Sequence, residues 1–205
     1  MKKIMFLLSL FMMFLNASYS QVIQSIEIGE AFPTSHIDHP MKSIYGKEHR
    51  VSQHLNNDGL IIIFTSNSCP FVEAWEDRYK IIENLCQRYN LDMLYINSNH
   101  NRRDGVDSFK AMQTHAKKMG YTFEYLLDEQ SELANVLGAK TTPHIFMFDE
   151  FSKLVYKGAI DDNYESAAEV KKFYLKDAIR FLAAGKEIEV SKTKAIGCSI
   201  KRYNP

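Results

Sequence analysis

The hydrophobic positions along the chain follow two different periods, and the change from one to the other outlines the fold. Short continuous runs of strand-forming residues occur at 60–65, 91–97 and 123–128. Such runs are typical of strands that are buried on both faces of a sheet. Between them, apolar residues return at every third or fourth position, which predicts helices. The pattern therefore indicates strands and helices that alternate through the middle of the chain.

The predicted helices have recognisable starts and stops. The first begins near Pro70, because proline suits a first helical position. The second covers residues 107–119 and ends at Gly120, and a short third helix lies near residues 130–137. These helices alternate with strands in the order expected for a sheet with parallel neighbours.

The alternation of strands and helices stops in the last third of the chain. Two strand-like segments, 144–149 and 153–160, are separated by only a few residues, so they predict a hairpin. A long helix is then predicted over residues 165–184. Its inward face is expected to carry Val170, Tyr174, Ala178 and Phe181. The whole order predicts an α/β fold with a central mixed β-sheet flanked by helices.

The first twenty residues have the layout of a secretory signal peptide. Lys2 and Lys3 precede an apolar run at 4–15, and the small residues Ser18 and Ser20 follow it. The run is too short for an ordinary transmembrane helix. We therefore expect residues 1–20 to be cleaved and residues 21–205 to form one exported domain, either periplasmic or extracellular.

Charge gives no reason to expect nucleic acid or a membrane surface as a partner. The chain carries 25 basic and 25 acidic side chains, and loss of the signal peptide removes two lysines. The mature domain is then slightly acidic, whereas nucleic acids and anionic lipids attract basic surfaces. No membrane association is expected after cleavage.

Three cysteines, Cys69, Cys86 and Cys198, occur in this chain. They are too few for a disulfide framework, and an odd number leaves at least one thiol unpaired within the chain. Cys86 falls on the apolar stripe of the first predicted helix, which favours core packing. The histidines show no ligand spacing, so neither a metal nor an organic cofactor is expected.

Cys69 lies where a strand passes into a helix. The N-terminus of a helix stabilises anions, and this effect lowers the pKa of cysteine thiols. Three acidic residues in the first two turns, Glu73, Glu76 and Asp77, would repel a thiolate if they faced it. The net direction of the shift is therefore open, as is the alternative that Cys69 is a buried structural cysteine.

Several separated motifs resemble one known family. The segments "SNSCP" (66–70), "TTP" (141–143), "GAIDDN" (158–163) and "GCSIK" (197–201) occur in the order seen in secreted redoxins. These belong to the alkyl hydroperoxide reductase/thiol-specific antioxidant group and have the thioredoxin fold. The resemblance spans roughly residues 26–202. One branch carries Cys-Asn-x-Cys-Pro at its site, and Ser66 replaces the first cysteine here.

The resemblance implies roles for the residues of these motifs. With Ser66 in place of a thiol, a dithiol cycle within the motif is impossible, and Cys69 is expected to be the attacking thiol. Ser66 also matches the Thr/Ser-x-x-Cys motif of peroxiredoxins, in which the hydroxyl orients a peroxide. Peroxiredoxins place an arginine where this chain has Thr142 and Pro143. Those two residues are the thioredoxin-like choice, in which a cis proline beside the cysteine positions the substrate.

Cys198 is the candidate second thiol. It lies beyond the last predicted helix, in a segment of weak periodicity. If this segment folds back, Cys198 would either resolve an intermediate on Cys69 or form a structural disulfide with it. A free cysteine in the tail is the remaining alternative.

Two functions remain open at this level. The first is an exported oxidoreductase whose substrate is a small thiol, a peroxide or a protein disulfide, with an external reductant. The second is a binding module that has lost turnover and holds an extended peptide or partner protein at its Thr-Pro edge. Ser66 favours the second function, whereas Cys69 and Cys198 favour the first.

Overall fold

The predicted strands assemble into one large sheet with helices packed against its faces. The computed structural model describes residues 25–55 and 57–204, so the predicted signal peptide, residues 1–20, lies outside the described residues. The strands are β1 (Met41–Ser43), β2 (Glu48–His49), β3 (Gly59–Thr65), β4 (Asp92–Asn97), β5 (Glu124–Leu127), β6 (Thr141–Thr142), β7 (His144–Asp149), β8 (Leu154–Gly158) and β9 (Cys198–Ser199). The α-helices are α1 (Pro70–Arg88), α2 (Phe109–Met119), α3 (Glu132–Leu137) and α4 (Tyr174–Ala183).

The large sheet is mixed, as the sequence predicts. Its strand order is β2-β1-β5-β4-β3-β7-β8. Strands β3, β4 and β5 run parallel, and the other neighbours pair antiparallel, including the predicted hairpin of β7 and β8. A separate two-stranded sheet joins β6 to β9. This arrangement confirms the α/β class and the flanked central sheet.

Strand β3 carries the core on both of its faces, because all of its residues are buried. Ile61 and Ile63 belong to the hydrophobic cluster that includes α1, α2 and α4. Ile62 and Phe64 belong to the opposite cluster, which includes α3 and the N-terminal lead-in. Each fully buried aliphatic or aromatic side chain contributes about 1.5–3 kcal/mol. The end of β3, where the candidate site begins, is therefore held firmly.

The predicted helix over residues 165–184 is wrong in its first half. Val170 has extended backbone, with φ −65° and ψ 124°, and α4 begins after it. The Asp162 carboxylate accepts the backbone N–H groups of Lys171 and Lys172 at 3.0 and 3.1 Å. These bonds hold the segment as a loop, because a side-chain acceptor competes with the helical bonding pattern.

The predicted inward face of this helix is also only partly right. Ala178 is buried as predicted, but Tyr174 and Phe181 are half-buried. Leu175 and Ile179 are fully buried and form the core-facing positions instead. Apolar residues line more than one side of the segment, so periodicity alone does not select the face that meets the sheet.

The short strands at the margins are not predicted by the sequence. Strand β1 pairs with β5 and with β2, which extends the sheet on the β5 side. Strands of two or three residues are too short to show a period, and tertiary contacts hold them. Among the described residues, no helix has the length and apolar character needed to cross a membrane.

Candidate active site

Cys69 lies at the junction between β3 and α1, as the sequence predicts. It is the N-cap residue of α1, and Pro70 is the first helical residue. The Cys69 carbonyl accepts the N–H of Glu73 at 3.0 Å, which begins the helix. Its thiol does not cap the helix but donates to the carbonyl oxygen of Thr142 at 3.0 Å. The side chain is 5 % exposed, so the thiol is directed towards β6 rather than into solvent.

The Thr142–Pro143 segment lies against Cys69, and its peptide bond is cis. Thr142 is opposite Cys198 in the antiparallel pair of β6 and β9. The residue before Cys198, Gly197, lies so close to this segment that a Cβ there would be 2.1 Å from the Thr142 carbonyl oxygen. The end of the chain therefore covers the cis-proline edge of the site.

The thiols of Cys69 and Cys198 interact, and both are free. Burial opposes ionisation of Cys69, but hydrogen bonds from Cys198 and Thr142, with backbone N–H groups, outweigh burial and lower the pKa of Cys69. Burial raises the pKa of Cys198 to about 11, together with its hydrogen bond to Cys69 and the negative charge there. The charge of Lys201 opposes that rise. Cys69 is thus the thiol that ionises first.

The first turn of α1 contributes to both thiols. The backbone N–H of Val72 lowers the pKa of Cys69, and that of Phe71 lowers the pKa of Cys198. The first four N–H groups of a helix have no partner within the helix, so they are available to an anion. This is the effect that the sequence predicts for a cysteine at this position.

The acidic residues of the first two turns are directed elsewhere. Glu76 is buried against His115, with Nε2 and Oε1 2.5 Å apart. Asp77 pairs with the neighbouring arginine at 2.8 Å, and Glu73 is exposed. None of these carboxylates is among the main influences on the pKa of Cys69. The question that the sequence left open is therefore decided by hydrogen bonds.

Ser66 is buried, with 1 % of its surface exposed. Its Oγ lies 3.5 Å from the Oγ1 of Thr142. The resemblance to dithiol redoxins implies an exposed attacking group at this position. Here Ser66 is buried, and its hydroxyl lies within hydrogen-bond distance of Thr142, the residue that also contacts Cys69.

Asp107 is a site residue that the sequence analysis does not identify. It is fully buried, and its carboxylate accepts the N–H of Asn67 at 2.8 Å and lies 3.5 Å from the hydroxyl of Ser68. The side-chain amides of Asn97 and Asn99 donate to it at 2.9 Å each. One feature of the sequence could have identified Asp107. It lies in a polar run that follows the second predicted strand, and residues that follow parallel strands lie together at one edge of the sheet.

Arg103 supports this framework and does not contact Cys69. Its guanidinium donates to the Asn97 side chain at 2.9 Å and to the carbonyls of Asp107 and Asp128 at 3.1 Å each. The main influences on the pKa of Cys69 include neither a lysine nor an arginine among the described residues. Activation of this thiol thus depends on hydrogen bonds and not on an adjacent cation.

Cys86 belongs to the core, as predicted. It is fully buried, and its sulfur lies 4.0 Å from that of Met93. Burial raises the pKa of the Cys86 thiol well above its ordinary value, so this thiol is unreactive. Within residues 25–55 and 57–204, no group of three or more histidine, cysteine, aspartate and glutamate side chains is arranged to hold a metal ion.

A family model described as "AhpC/TSA family" matches residues 28–157. The match includes β3, Cys69 and the cis-proline segment, and it ends before α4 and Cys198. No curated protein matches the chain.

Solved structures share the fold over almost their full length. A hypothetical protein from Sinorhizobium meliloti 1021 is 26% identical with a TM-score of 0.79, covering 89% of this chain and 98% of that chain. An uncharacterized conserved protein from Geobacillus kaustophilus is 28% identical with a TM-score of 0.77, and the match covers 87% of this chain and 93% of that chain. Peroxidoxin BcpB from Mycobacterium tuberculosis is 15% identical with a TM-score of 0.58, covering 78% and 97%, and at that identity it shows the fold alone.

Proposed function

Because the chain belongs to the AhpC/TSA family, we propose that it is an exported thiol-dependent oxidoreductase in which Cys69 attacks a disulfide or a peroxide. The observation that carries this proposal is the contact between Cys69 and Cys198, which results from the pairing of Cys198 with Thr142. Ser66 leaves the usual motif with one thiol, and Cys198 supplies a second from the end of the chain.

The proposed reaction with a disulfide has two exchanges. The Cys69 thiolate attacks one sulfur, a new S–S bond forms, and the other half of the substrate leaves as a thiolate. Cys198 then loses its proton to solvent and attacks the Cys69 sulfur, which releases the second thiolate. The product is a Cys69–Cys198 disulfide. An external dithiol returns two electrons and two protons to regenerate both thiols.

A peroxide would lead to the same end product. The thiolate attacks one peroxide oxygen, the O–O bond breaks, and the alcohol or water leaves after taking up a proton. Cys69 is then a sulfenic acid. Attack by Cys198 forms the disulfide and releases water, so one reducing cycle serves both kinds of substrate.

The pKa values support this order of events. The negative charge of Cys69 is one cause of the raised pKa of Cys198. After the first exchange Cys69 carries no charge, so that contribution disappears, while the charge of Lys201 continues to lower the pKa of Cys198. The second thiol therefore ionises more readily once the first has reacted, as an attacking and a resolving cysteine require.

The binding-module alternative is less well supported. It requires the Thr142–Pro143 edge to hold an extended peptide, yet β9 of the same chain already pairs with that edge. The lowered pKa of Cys69 also favours a reactive thiol, because shifted pKa values concentrate at functional sites. The first function therefore accounts for more of the site.

Export is part of the proposal and is supported by the predicted signal peptide at residues 1–20. A thiol enzyme in the periplasm or outside the cell works in an oxidising environment, where it depends on a dedicated reductant. We therefore expect an external dithiol donor in the same compartment. Detection of the mature chain beginning near Gln21 in the exported fraction would support this part, and retention in the cytoplasm would contradict it.

Turnover by single-cysteine variants tests the proposal. Purified protein is supplied with dithiothreitol and either hydroxyethyl disulfide or hydrogen peroxide, and consumption of the oxidant is followed. Cys69→Ser should abolish turnover, whereas Cys86→Ser, in the core, should leave it unchanged. Cys198→Ser should slow the cycle and accumulate an intermediate on Cys69. Full activity in Cys69→Ser would refute the proposal.

Ser66→Ala separates the two kinds of substrate. A hydroxyl that orients a peroxide is lost in this variant, while attack on a disulfide does not need it. If peroxide is the natural substrate, only the reaction with hydrogen peroxide should fall, by about ten-fold or more. An equal effect on both oxidants would mean that Ser66 acts through its contact with Thr142.

A further inference from the structure

The edge at which a thioredoxin-fold site presents backbone to a substrate is already occupied here. Extended peptides bind to such edges by adding a strand, with backbone hydrogen bonds supplying affinity. In this chain β9 pairs antiparallel with β6, with Cys198 opposite Thr142. The chain's own end therefore takes the position that the strand of a polypeptide substrate would need.

The contact leaves no room for a second strand. Gly197 lies against the Thr142–Pro143 peptide, where a Cβ would be 2.1 Å from the Thr142 carbonyl oxygen and 3.2 Å from the Pro143 nitrogen. Only glycine fits at this separation. Cys69 and Ser66 below it are 5 % and 1 % exposed, which leaves a narrow approach to the attacking sulfur.

The segment before β9 is anchored to β8. The N–H of Thr193 donates to the carbonyl of Lys157 at 3.0 Å, and the Thr193 hydroxyl accepts the N–H of Ala159 at 2.9 Å. A Cβ on Gly158 would lie 2.0 Å from that hydroxyl oxygen, so the two segments are in close contact. This anchor sets the path by which the chain returns to the site.

The segment after β9 is anchored on the other side of the site. The N–H of Ile200 donates to the carbonyl of Lys140 at 3.1 Å. The N–H of Lys201 donates to the Asn99 side chain at 2.9 Å, and its carbonyl accepts the N–H of Asn101 at 3.0 Å. We name residues 191–203 the C-terminal strap, since it is bonded on both sides of β9.

We infer that the C-terminal strap acts as a built-in occupant of the cis-proline edge and closes the site to extended polypeptides. The substrate class is then a small disulfide or peroxide, which can reach Cys69 without pairing with β6. Within the strap, Cys198 takes the place that a substrate cysteine would hold. This inference rests on the proposed function, because exclusion has a consequence only if Cys69 attacks an oxidant.

Two substrates that carry the same leaving group but differ in size test the inference. The small substrate is N-acetylcysteine amide carrying a thionitrobenzoate group in disulfide linkage. The large one is the same cysteine derivative at the centre of a flexible peptide of about ten residues, long enough to form a strand. Release of thionitrobenzoate measures attack by Cys69 in the reduced full-length mature protein. We expect the peptide to react at least about ten-fold more slowly than the single residue.

Gly197→Ala provides the decisive variant. The added methyl group cannot fit beneath the Thr142 carbonyl, so the strap must leave the edge. The ratio of the two rates should then approach one, and using a ratio removes any effect of the variant on the pKa of Cys69. Gly105→Ala is the matched control, because the nearest atom to its added Cβ is 4.0 Å away. This control should retain the wild-type preference.

The outcomes separate the inference from the proposed function. Equal rates with the two substrates in the wild-type protein would overturn the inference and leave the oxidoreductase intact. No reaction with either substrate in any variant would overturn both. Should Gly197→Ala fail to fold, hydrogen exchange of the wild-type protein still tests the inference. We expect the amides of Ile200 and Lys201, which donate to Lys140 and Asn99, to exchange at least about 100-fold more slowly than in an unstructured peptide. Exchange at the unprotected rate would show that the strap is not docked, which would overturn the inference.

Discussion

Cys69 is buried, yet its pKa lies below the ordinary value for a thiol, because hydrogen bonds from Cys198 and Thr142 outweigh the cost of burial. Its position at the start of α1 can be predicted from the sequence, because a strand, a cysteine and a proline follow one another. The two residues whose side chains lower this pKa, Thr142 and Cys198, cannot be identified in the same way, because each lies more than seventy positions further along the chain. Reactivity here is a property of the tertiary contact.

The contribution of Cys198 as a donor has a direct test. Cys198→Ala removes its S–H group, so the pKa of Cys69 should rise towards that of a free thiol, about 8.5 or higher. Cys198→Ser is the matched control, because the serine hydroxyl still donates and should keep the pKa low. Alkylation rates of Cys69 from about pH 6 to 10, followed by peptide mass mapping, give both values. Identical profiles for the two variants would mean that Cys198 does not activate Cys69.

At the scale of elements, the long buried strands and the first helix are largely predictable. Strands β3, β4 and β7 are continuous apolar runs that lie between two hydrophobic clusters, so composition alone marks them. Strands β6 and β9 contain two residues each and show no period. Their pairing depends on the anchors of the strap, which are long-range contacts, and a single sequence carries no local record of them.

The anchor at Thr193 should control how firmly the strap is docked. Thr193→Val keeps the shape but leaves the N–H of Ala159 without its acceptor, which costs about 1–3 kcal/mol when the group is buried. Thr193→Ser retains the hydroxyl and serves as the control. Hydrogen exchange of residues 194–201 should be faster in the valine variant than in the serine variant. Equal exchange in the two would contradict the role of this hydroxyl.

At the scale of the whole molecule, the order of separated motifs was the strongest guide to the fold. It indicated the thioredoxin fold and the grouping of Ser66, Cys69 and Thr142 in one site. It gave no indication of Asp107, whose buried carboxylate holds the loop before Cys69. Most aspartates are exposed to solvent, so a carboxylate within a polar run gives no indication from sequence alone that it will be buried.

One buried group should make global stability depend on pH. Burial, with the charges of Lys157 and Lys140, lowers the pKa of His144 to about 3, whereas an exposed histidine titrates near 6.5. Between these values the unfolded chain binds the extra proton, so the free energy of unfolding falls as pH decreases, by up to about 1.4 kcal/mol per pH unit. The loss begins near pH 6.5 and continues towards pH 3.

His144→Asn isolates this effect. The asparagine oxygen can accept the N–H of Lys140, which His144 Nδ1 accepts at 3.2 Å, but it does not take up a proton. Urea unfolding at pH values from about 7 to 4 should show a shallower loss of stability in the variant than in the wild type. Parallel curves would show that His144 is protonated equally readily in the folded and unfolded states.

The order of the two thiols, with Cys69 attacking and Cys198 resolving, can be followed directly. Reduced mature protein is mixed with one equivalent of hydroxyethyl disulfide, quenched with acid at successive times, and mapped by peptide mass. We expect a mixed disulfide on Cys69 that appears first and then converts to a Cys69–Cys198 disulfide, with release of the second half of the substrate. A first adduct on Cys198, or an adduct on Cys69 that persists without forming the cross-link, would contradict it.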